Sequence, residues 1–298
     1  MNEILFLTKR NVKLFFKDKG MFFTALITPA ILLVLYATFL GNVYKDSFTM
    51  HLPEGFTLPS SLINGLVGGQ LISSLLAVSC VTVAFCSNFL MVQDKANGSL
   101  HDLKITPVKA SALSISYYCA ALFSTLTICY FATALSLVYV AIVGWYMSFG
   151  EVVLLFLDVT LLTLFGTALS SVINFFLSTQ GQISAVGSIV SSGYGFICGA
   201  YMPISSFGNG LQKVVSFLPG TYGTSLMRNH ALSGVFAEME SQGVPMAVIE
   251  SMQGAVDCNL YFFGNQVPIW VMYAVLCATV AVLAAAYILM NALKKKDK

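Results

Sequence analysis

Six long apolar runs constrain this chain more than any other feature of its sequence. A segment that crosses the hydrocarbon core of a bilayer needs about 20 mostly apolar residues. Charged residues make up only 9% of the chain, whereas a soluble globular domain carries about 25%. The sequence therefore predicts an all-α integral membrane protein, a single domain over residues 1–298. Its six predicted spans are residues 21–42, 62–92, 111–143, 152–177, 183–202 and 268–292.

The basic residues gather at one side of these runs. Lysines and arginines accumulate in cytoplasmic segments of membrane proteins, and their distribution sets the orientation of the chain. Only Lys45, Lys213 and Arg228 fall on the opposite side. We expect both termini to be cytoplasmic, in a multi-pass protein of a bacterial plasma membrane. The other twelve of the fifteen basic residues are Lys9, Arg10, Lys13, Lys17, Lys19, Lys95, Lys104, Lys109, Lys294, Lys295, Lys296 and Lys298.

Residues 1–20 have the pattern of an amphipathic helix. One face of the helical wheel carries Ile4, Leu5, Thr8, Val12, Phe15 and Phe16, and the neighbouring face carries Lys9, Arg10, Lys13 and Lys17. A basic amphipathic helix beside a span lies in the membrane interface, with its apolar face in lipid. The sequence favours this interfacial helix over a cluster of charges that only sets topology, because such a cluster needs no apolar stripe.

A polar, turn-rich segment at 93–110 separates the second and third spans. Asn97-Gly98 predicts a turn, and the spacing of Ser99 and Asp102 predicts a capping box at the start of a helix. Thr106-Pro107 would begin the next helix, with threonine as the cap and proline at the first position. We therefore expect a short cytoplasmic helix over 99–105. A helix of two turns is unstable alone in water, so Leu100 and Leu103 need a surface to dock against.

Two intramembrane features have a functional and a purely structural interpretation. Gly187, Ser191, Gly195 and Gly199 recur every fourth residue, and such small faces let helices approach closely in lipid, either within one chain or between two copies. Asp158 lies inside the fourth run, where a carboxyl faces a cavity or a polar partner, or stabilises helix packing.

The segment 203–267 is predicted to form a small external helical cap over the outer ends of the spans. The spacing of Leu211, Val214, Val215 and Leu218 predicts a short interfacial or re-entrant helix that ends before a proline. A second short helix after Pro245 would carry Met246, Ile249 and Met252. His51, His101 and His230 are scattered too widely for a metal site, so we expect solvated or capping roles for them.

Three motifs in order resemble the type-2 ABC transporter permeases. DKANGSLHDLKITP, at residues 94–107, is similar to the first cytoplasmic loop of that family. The basic helix before Pro29 is similar to the family's entry into its first span, and residues 199–229 are similar to its fifth span and external helices. The resemblance implies that helix 99–105 is a coupling helix seated in an ATP-binding subunit, with these coupling residues: Ser99, Leu100, Asp102, Leu103, Lys104, Thr106 and Pro107.

The resemblance also implies an ATP-driven exporter in which two permeases, identical or different, work with two ATPase subunits. No Gly-x-x-x-x-Gly-Lys-Ser/Thr loop occurs in this sequence, so we expect ATP and Mg²⁺ in the partner and no catalytic residue, metal or cofactor here. The spans suit an amphiphilic or lipophilic substrate such as a drug, antimicrobial peptide or lipid. A polysaccharide is the alternative cargo, and an ion-coupled secondary transporter is the less favoured class. Nucleic acid is not an expected partner.

Overall fold

The computed structural model describes residues 2–35, 38–39, 41–50 and 58–293, and most of them are helical. The prediction of an all-α fold is therefore confirmed. A two-stranded antiparallel hairpin, β1 (Tyr261–Phe262) and β2 (Asn265–Gln266), precedes the last helix. In chain order the α-helices are α1 (Asn2–Lys17), α2 (Lys19–Leu35), α3 (Gly41–Met50), α4 (Ser60–Ala96), α5 (Ser99–Ile105), α6 (Ala110–Val143), α7 (Phe149–Phe176), α8 (Gln180–Ile197), α9 (Asn209–Val215), α10 (Pro219–Ser241), α11 (Met246–Ala255) and α12 (Ile269–Leu293).

Within the part of the chain that the structure describes, α4, α6, α7 and α12 are each long and apolar enough to cross a membrane. They coincide with the predicted spans 62–92, 111–143, 152–177 and 268–292. α1 and α2 meet the same criterion only as a pair, bent by 72° at Asp18. The chain is therefore a multi-pass membrane protein with four or five candidate spans.

The other two predicted spans match the helices of the structure less simply. The run 21–42 corresponds to α2, but residues 36, 37 and 40 lie outside the described residues. The run 183–202 overlaps α8. The serines, glycines and glutamines of this helix leave it less apolar than the four long helices. A count of six spans stays a prediction.

Helix α4 forms the centre of the bundle. It packs against α6, α7, α10, α2 and α8, and 94% of its most apolar stretch is buried, compared with 11% for α12. Small and hydroxyl side chains such as Ser73, Ala77 and Ser87 lie along it, and such residues let neighbouring helices approach closely in lipid. Its 37 residues span about 55 Å, well beyond the roughly 30 Å of hydrocarbon. α4 therefore connects the membrane core to segments on both sides.

Helix α10 reaches deeper than an external cap would. Gly223, near the start of α10, packs against Leu162 well inside α7, whereas Gly234, further along α10, packs against Tyr146, which precedes α7. α10 therefore runs antiparallel to α7. Leu162 lies about 20 Å along α7 from Phe149, so α10 begins far below the outer end of that span. The prediction that 203–267 only covers the outer ends is wrong for this helix. Its small residues and long buried face insert it between α4, α7 and α12.

The shorter external helices match their predicted positions. α9 begins at Asn209 but ends at Val215, so Leu218 lies outside it, and Pro219 occupies the first turn of α10 instead of ending α9. α11 begins directly after Pro245 and buries Ile249 and Met252, whereas Met246 is exposed.

Candidate functional sites

The short helix α5 occupies the turn between α4 and α6. Its bounds, Ser99–Ile105, are those that the sequence predicts. Gly98 precedes it with φ +82°, a left-handed conformation that favours glycine, and its carbonyl accepts the N–H of His101 at 2.8 Å. Ser99 therefore lies inside the first turn and no side chain caps the helix. The predicted capping box of Ser99 and Asp102 is wrong.

The exit from α5 also differs from the prediction. Thr106 has an extended backbone, which the residue before a proline prefers, and its hydroxyl donates to the carbonyl of Leu103 at 2.6 Å. α6 begins only at Ala110, after Lys109. Thr106-Pro107 therefore ends α5 instead of starting α6, because Pro107 forces an extended segment first.

The two faces of α5 have different environments. Leu100 and Leu103 are half-buried and pack against the protein's own core. Ile105 is 75% exposed, and His101 and Asp102 are exposed beside it. The sequence predicts docking through Leu100 and Leu103, which here pack within the chain. We name the exposed residues His101, Asp102 and Ile105 the coupling face, after the role that the family resemblance implies for this helix.

Lys95 joins the end of α4 to the end of α7. Its Nζ donates to the carbonyl oxygens of Asn174, Phe175 and Leu177, each at 3.0 Å. A lysine in this position satisfies carbonyls that a helix C-terminus leaves without an intrahelical partner. The segment that leads into α5 is thereby attached to both α4 and α7.

A polar cluster ties α1 to the bundle at the same level. Arg10 donates to Asp94 at 3.0 Å, and the Tyr117 hydroxyl donates to the same carboxylate oxygen at 2.5 Å. Leu7, Asn11 and Phe15 form the buried stripe of α1, and α1 packs mainly on α6. We name Arg10, Asp94 and Tyr117 the cytoplasmic cluster, after the predicted orientation of the chain.

The amphipathic prediction for α1 is correct in part. Leu5 is 71% exposed, as a lipid-facing residue would be, but Phe15 is buried against the rest of the protein, and Arg10 turns towards Asp94 rather than standing with the other basic residues. Lys9, Lys13 and Lys17 are exposed, as a headgroup contact requires. The sequence carried no signal for Asn11, which is fully buried.

A second arginine–aspartate pair lies in the opposite half of the bundle, which is the outer half in the predicted orientation. Arg228, on α10, is 1% exposed and lies 3.2 Å from Asp257. Arg228 also donates to the carbonyl of Gly199 at 2.5 Å and to Ser74 on α4 at 3.3 Å. Asp257 in turn accepts the backbone N–H of Ile204 at 2.6 Å. We name these residues the outer cluster.

The charge of Asp257 is balanced within that cluster. Burial raises the pKa of its carboxyl, and the Arg228 guanidinium and the backbone N–H groups of Ile204 and Ser205 oppose the rise. About 30 Å of α4 separates Ser74 from Asp94, which matches the hydrocarbon thickness of a bilayer. The outer and cytoplasmic clusters thus bracket the apolar core.

Asp158 has two buried polar partners. Oδ2 of Asp158 lies 2.6 Å from Nδ1 of His230 on α10, and Oδ1 accepts the hydroxyl of Tyr273 on α12 at 2.6 Å. The His230 and Tyr273 rings stack at 6.3 Å. Asp158 is therefore engaged in joining three helices, and the prediction of a solvated or capping His230 is wrong. His101 is exposed, whereas His51 lies outside the described residues.

The small face of α8 makes contacts within the chain. The Tyr201 ring packs on Gly195 so closely that a Cβ there would lie 2.3 Å from the ring, and the Tyr201 hydroxyl donates to the Ser191 carbonyl at 3.4 Å. Gly187 faces Phe89 of α4. Gly199 follows the end of α8 with φ +74°, next to Ile204. Gly195 and Gly199 are therefore buried by contacts within the chain.

The described residues contain no group of three or more His, Cys, Asp or Glu side chains that would hold a metal ion. The polar side chains instead form hydrogen-bonded links between helices.

Comparison with known protein families identifies the class of this protein. The family model of the ABC-2 type transporter matches residues 2–232, which is most of the chain. The protein therefore belongs to the ABC-2 type transporter family and is an ABC transporter permease. A search of curated proteins found no match. Asp257 and Tyr273 lie beyond the matched region, although their partners Arg228 and Asp158 lie within it.

Proposed function

We propose that this permease works in an ATP-driven exporter and receives its driving force through α5. The observation that supports this proposal most is that the two faces of α5 have different environments. Leu100 and Leu103 fix the helix to the permease, while the coupling face of His101, Asp102 and Ile105 is exposed. The resemblance of residues 94–107 to the family's first cytoplasmic loop implies that this exposed face enters a cleft of an ATP-binding subunit.

The partner in this proposal is an ABC ATP-binding subunit that holds ATP and Mg²⁺. Closure of two such subunits would push on two permeases and alternate the access of a central pathway between the two sides of the membrane. α1 supports the arrangement, because the cytoplasmic cluster fixes it close to the root of α5. Both termini and α5 are cytoplasmic in this orientation, in the plasma membrane of a bacterium.

The proposed substrate is amphiphilic or lipophilic: a drug, an antimicrobial peptide or a lipid. This follows from spans rich in aromatic and apolar side chains and poor in charge. A polysaccharide remains the alternative cargo, because sugars bind aromatic side chains. An ion-coupled transporter is less favoured, because Asp158 is the lone acidic residue inside the six predicted spans.

The test is to purify the tagged permease from cells that express it with its genomic neighbours, and to identify the proteins that co-purify. We expect an ATPase subunit with a Walker A loop in the wild-type sample. Ile105→Asp places a charge on the coupling face and should abolish co-purification, while Ile105→Leu should retain it. Since Ile105 is 75% exposed, Ile105→Asp should change the stability of the permease by no more than about 0.5 kcal/mol.

Other outcomes would contradict the proposal. Full ATPase capture by Ile105→Asp would show that α5 is not the contact. Substrate movement by the permease alone in vesicles, driven by an ion gradient without any ATPase, would favour the secondary transporter. Leu103→Asp is a less direct probe, because Leu103 is half-buried and its change would also disturb the packing of α5 on the core.

A further inference from the structure

A groove lies between the cytoplasmic ends of α6 and α12. Its volume is about 490 Å³, and Ile115, Tyr118, Ala284 and Ile288 line it. A second cavity of about 290 Å³ adjoins it and extends to α5. The two cavities share Ala110, Ser114 and Asn291. We name this continuous space the inner-leaflet groove.

One end of the inner-leaflet groove is polar and basic. Ser114 donates to Asn291 at 2.7 Å, and Lys95 and Lys104 line the cavity beside them. None of the described residues that line the two cavities is acidic. This end therefore suits a negatively charged group.

The other end is apolar and open to the bilayer. Ile115 is 42% exposed and Ile288 is 62% exposed, while the rings of Tyr118 and Tyr287 stand 6.2 Å apart along the wall. Tyr117, next to Tyr118, bonds to Asp94 of the cytoplasmic cluster. The groove thus lies at the cytoplasmic boundary of the membrane, where a charged headgroup meets an acyl chain.

We propose that the inner-leaflet groove binds an anionic phospholipid of the cytoplasmic leaflet. The phosphate would lie beside Lys104, Ser114 and Asn291, and one acyl chain would follow Ile115, Ala284 and Ile288. A lysine near the membrane surface attracts anionic lipid, and the isoleucines bury apolar surface of the chain. Because Leu100 and Lys104 belong to α5, the bound lipid would contact the coupling helix directly.

The experiment uses the full-length permease in nanodiscs with a photoactivatable phospholipid whose diazirine lies on the acyl chain. Labelling by phosphatidylglycerol is compared with labelling by phosphatidylcholine, and the labelled peptides are identified by mass spectrometry. We expect phosphatidylglycerol to label residues 110–118 and 284–291 preferentially. Lys104→Gln should weaken that labelling about fivefold, and Lys104→Arg should retain it.

A steric pair of variants tests the acyl-chain path. Ala284→Phe fills the groove and should remove most labelling of these peptides, whereas Ala285→Phe, on an exposed neighbouring residue, should not. Equal labelling by the two lipids would overturn the anionic site, as would labelling that Ala284→Phe leaves unchanged. If an added amphiphilic compound displaced the photoactivatable lipid and unlabelled phosphatidylglycerol did not, the groove would be a substrate site and the proposal would be overturned. No ATPase is needed, so the result is independent of the proposed exporter function.

Discussion

The two arginine–aspartate pairs of this permease have the same chemistry and opposite surroundings. In the outer cluster the side chains of Arg228 and Asp257 are 1% and 5% exposed, whereas those of Arg10 and Asp94 in the cytoplasmic cluster are 29% and 10% exposed. A fully buried ion pair is costly to break, while a pair near water contributes little. The Arg228–Asp257 pair should therefore be costlier to break than the Arg10–Asp94 pair, whose guanidinium is partly exposed.

The largest effect should come from breaking the outer pair. Arg228→Met removes a fully buried cation and leaves the Asp257 carboxylate without its charge partner, which we expect to cost about 3–5 kcal/mol of stability. Thermal unfolding of the detergent-solubilised permease measures this loss. Arg228→Met/Asp257→Asn removes both charges and should recover a large part of it. A double variant as unstable as Arg228→Met would show that the loss is one of packing rather than charge.

An intermediate effect should come from Gly195, near the outer end of the small face of α8. Gly195→Ala forces a methyl group against the Tyr201 ring and should cost about 1–3 kcal/mol. Gly193→Ala is the matched control, because no atom lies within 4 Å of the Cβ position there. It should leave stability unchanged or raise it by up to about 1 kcal/mol, the difference in helix propensity.

The two glycine variants should be compared in the same unfolding assay and by size-exclusion chromatography. If Gly195→Ala instead preserved stability and disrupted a dimer, the small face would be an interface between copies.

The smallest effect should come from the cytoplasmic pair. Arg10→Gln should cost about 1 kcal/mol or less, because the guanidinium is partly hydrated and Tyr117 still bonds to Asp94. High salt should reduce the difference between the variant and the wild type further, since screening weakens exposed pairs. A loss as large as that of Arg228→Met in the same unfolding assay would contradict the contrast between the two halves.

The sequence predicted the elements of this fold better than their contacts. Four spans and the bounds of α5 follow from apolar run length and from the turn at Asn97-Gly98, both local signals. The capping box at Ser99 did not form, because Gly98 supplies the backbone conformation that begins the helix. The reach of α10 was missed, since its mixture of small, polar and apolar residues resembles neither a typical span nor a surface helix.

The polar clusters could not be predicted because their members are far apart in the chain. Asp158 and His230 are 72 residues apart, and Arg10 and Asp94 are 84 residues apart. No local pattern pairs such residues, and Asp257 lies in a loop without a recognisable motif. The sequence did not point to Ile105 for another reason. The leucine spacing correctly predicted an apolar face on α5, but it did not indicate which surface that face contacts.

The unbroken length of α4 has a mechanical consequence. From Ser60 to Ala96 it is one helix without an internal proline, joined to α5 at one end and to α10 through Ser74 and Arg228 nearer the other. Between Ser74 and Ala96 this helix has neither a glycine nor a proline at which to bend and absorb a displacement. Under the proposed coupling, a tilt at the α5 end of α4 would therefore reach the outer cluster in the same step, and opening on the far side would need no separate signal.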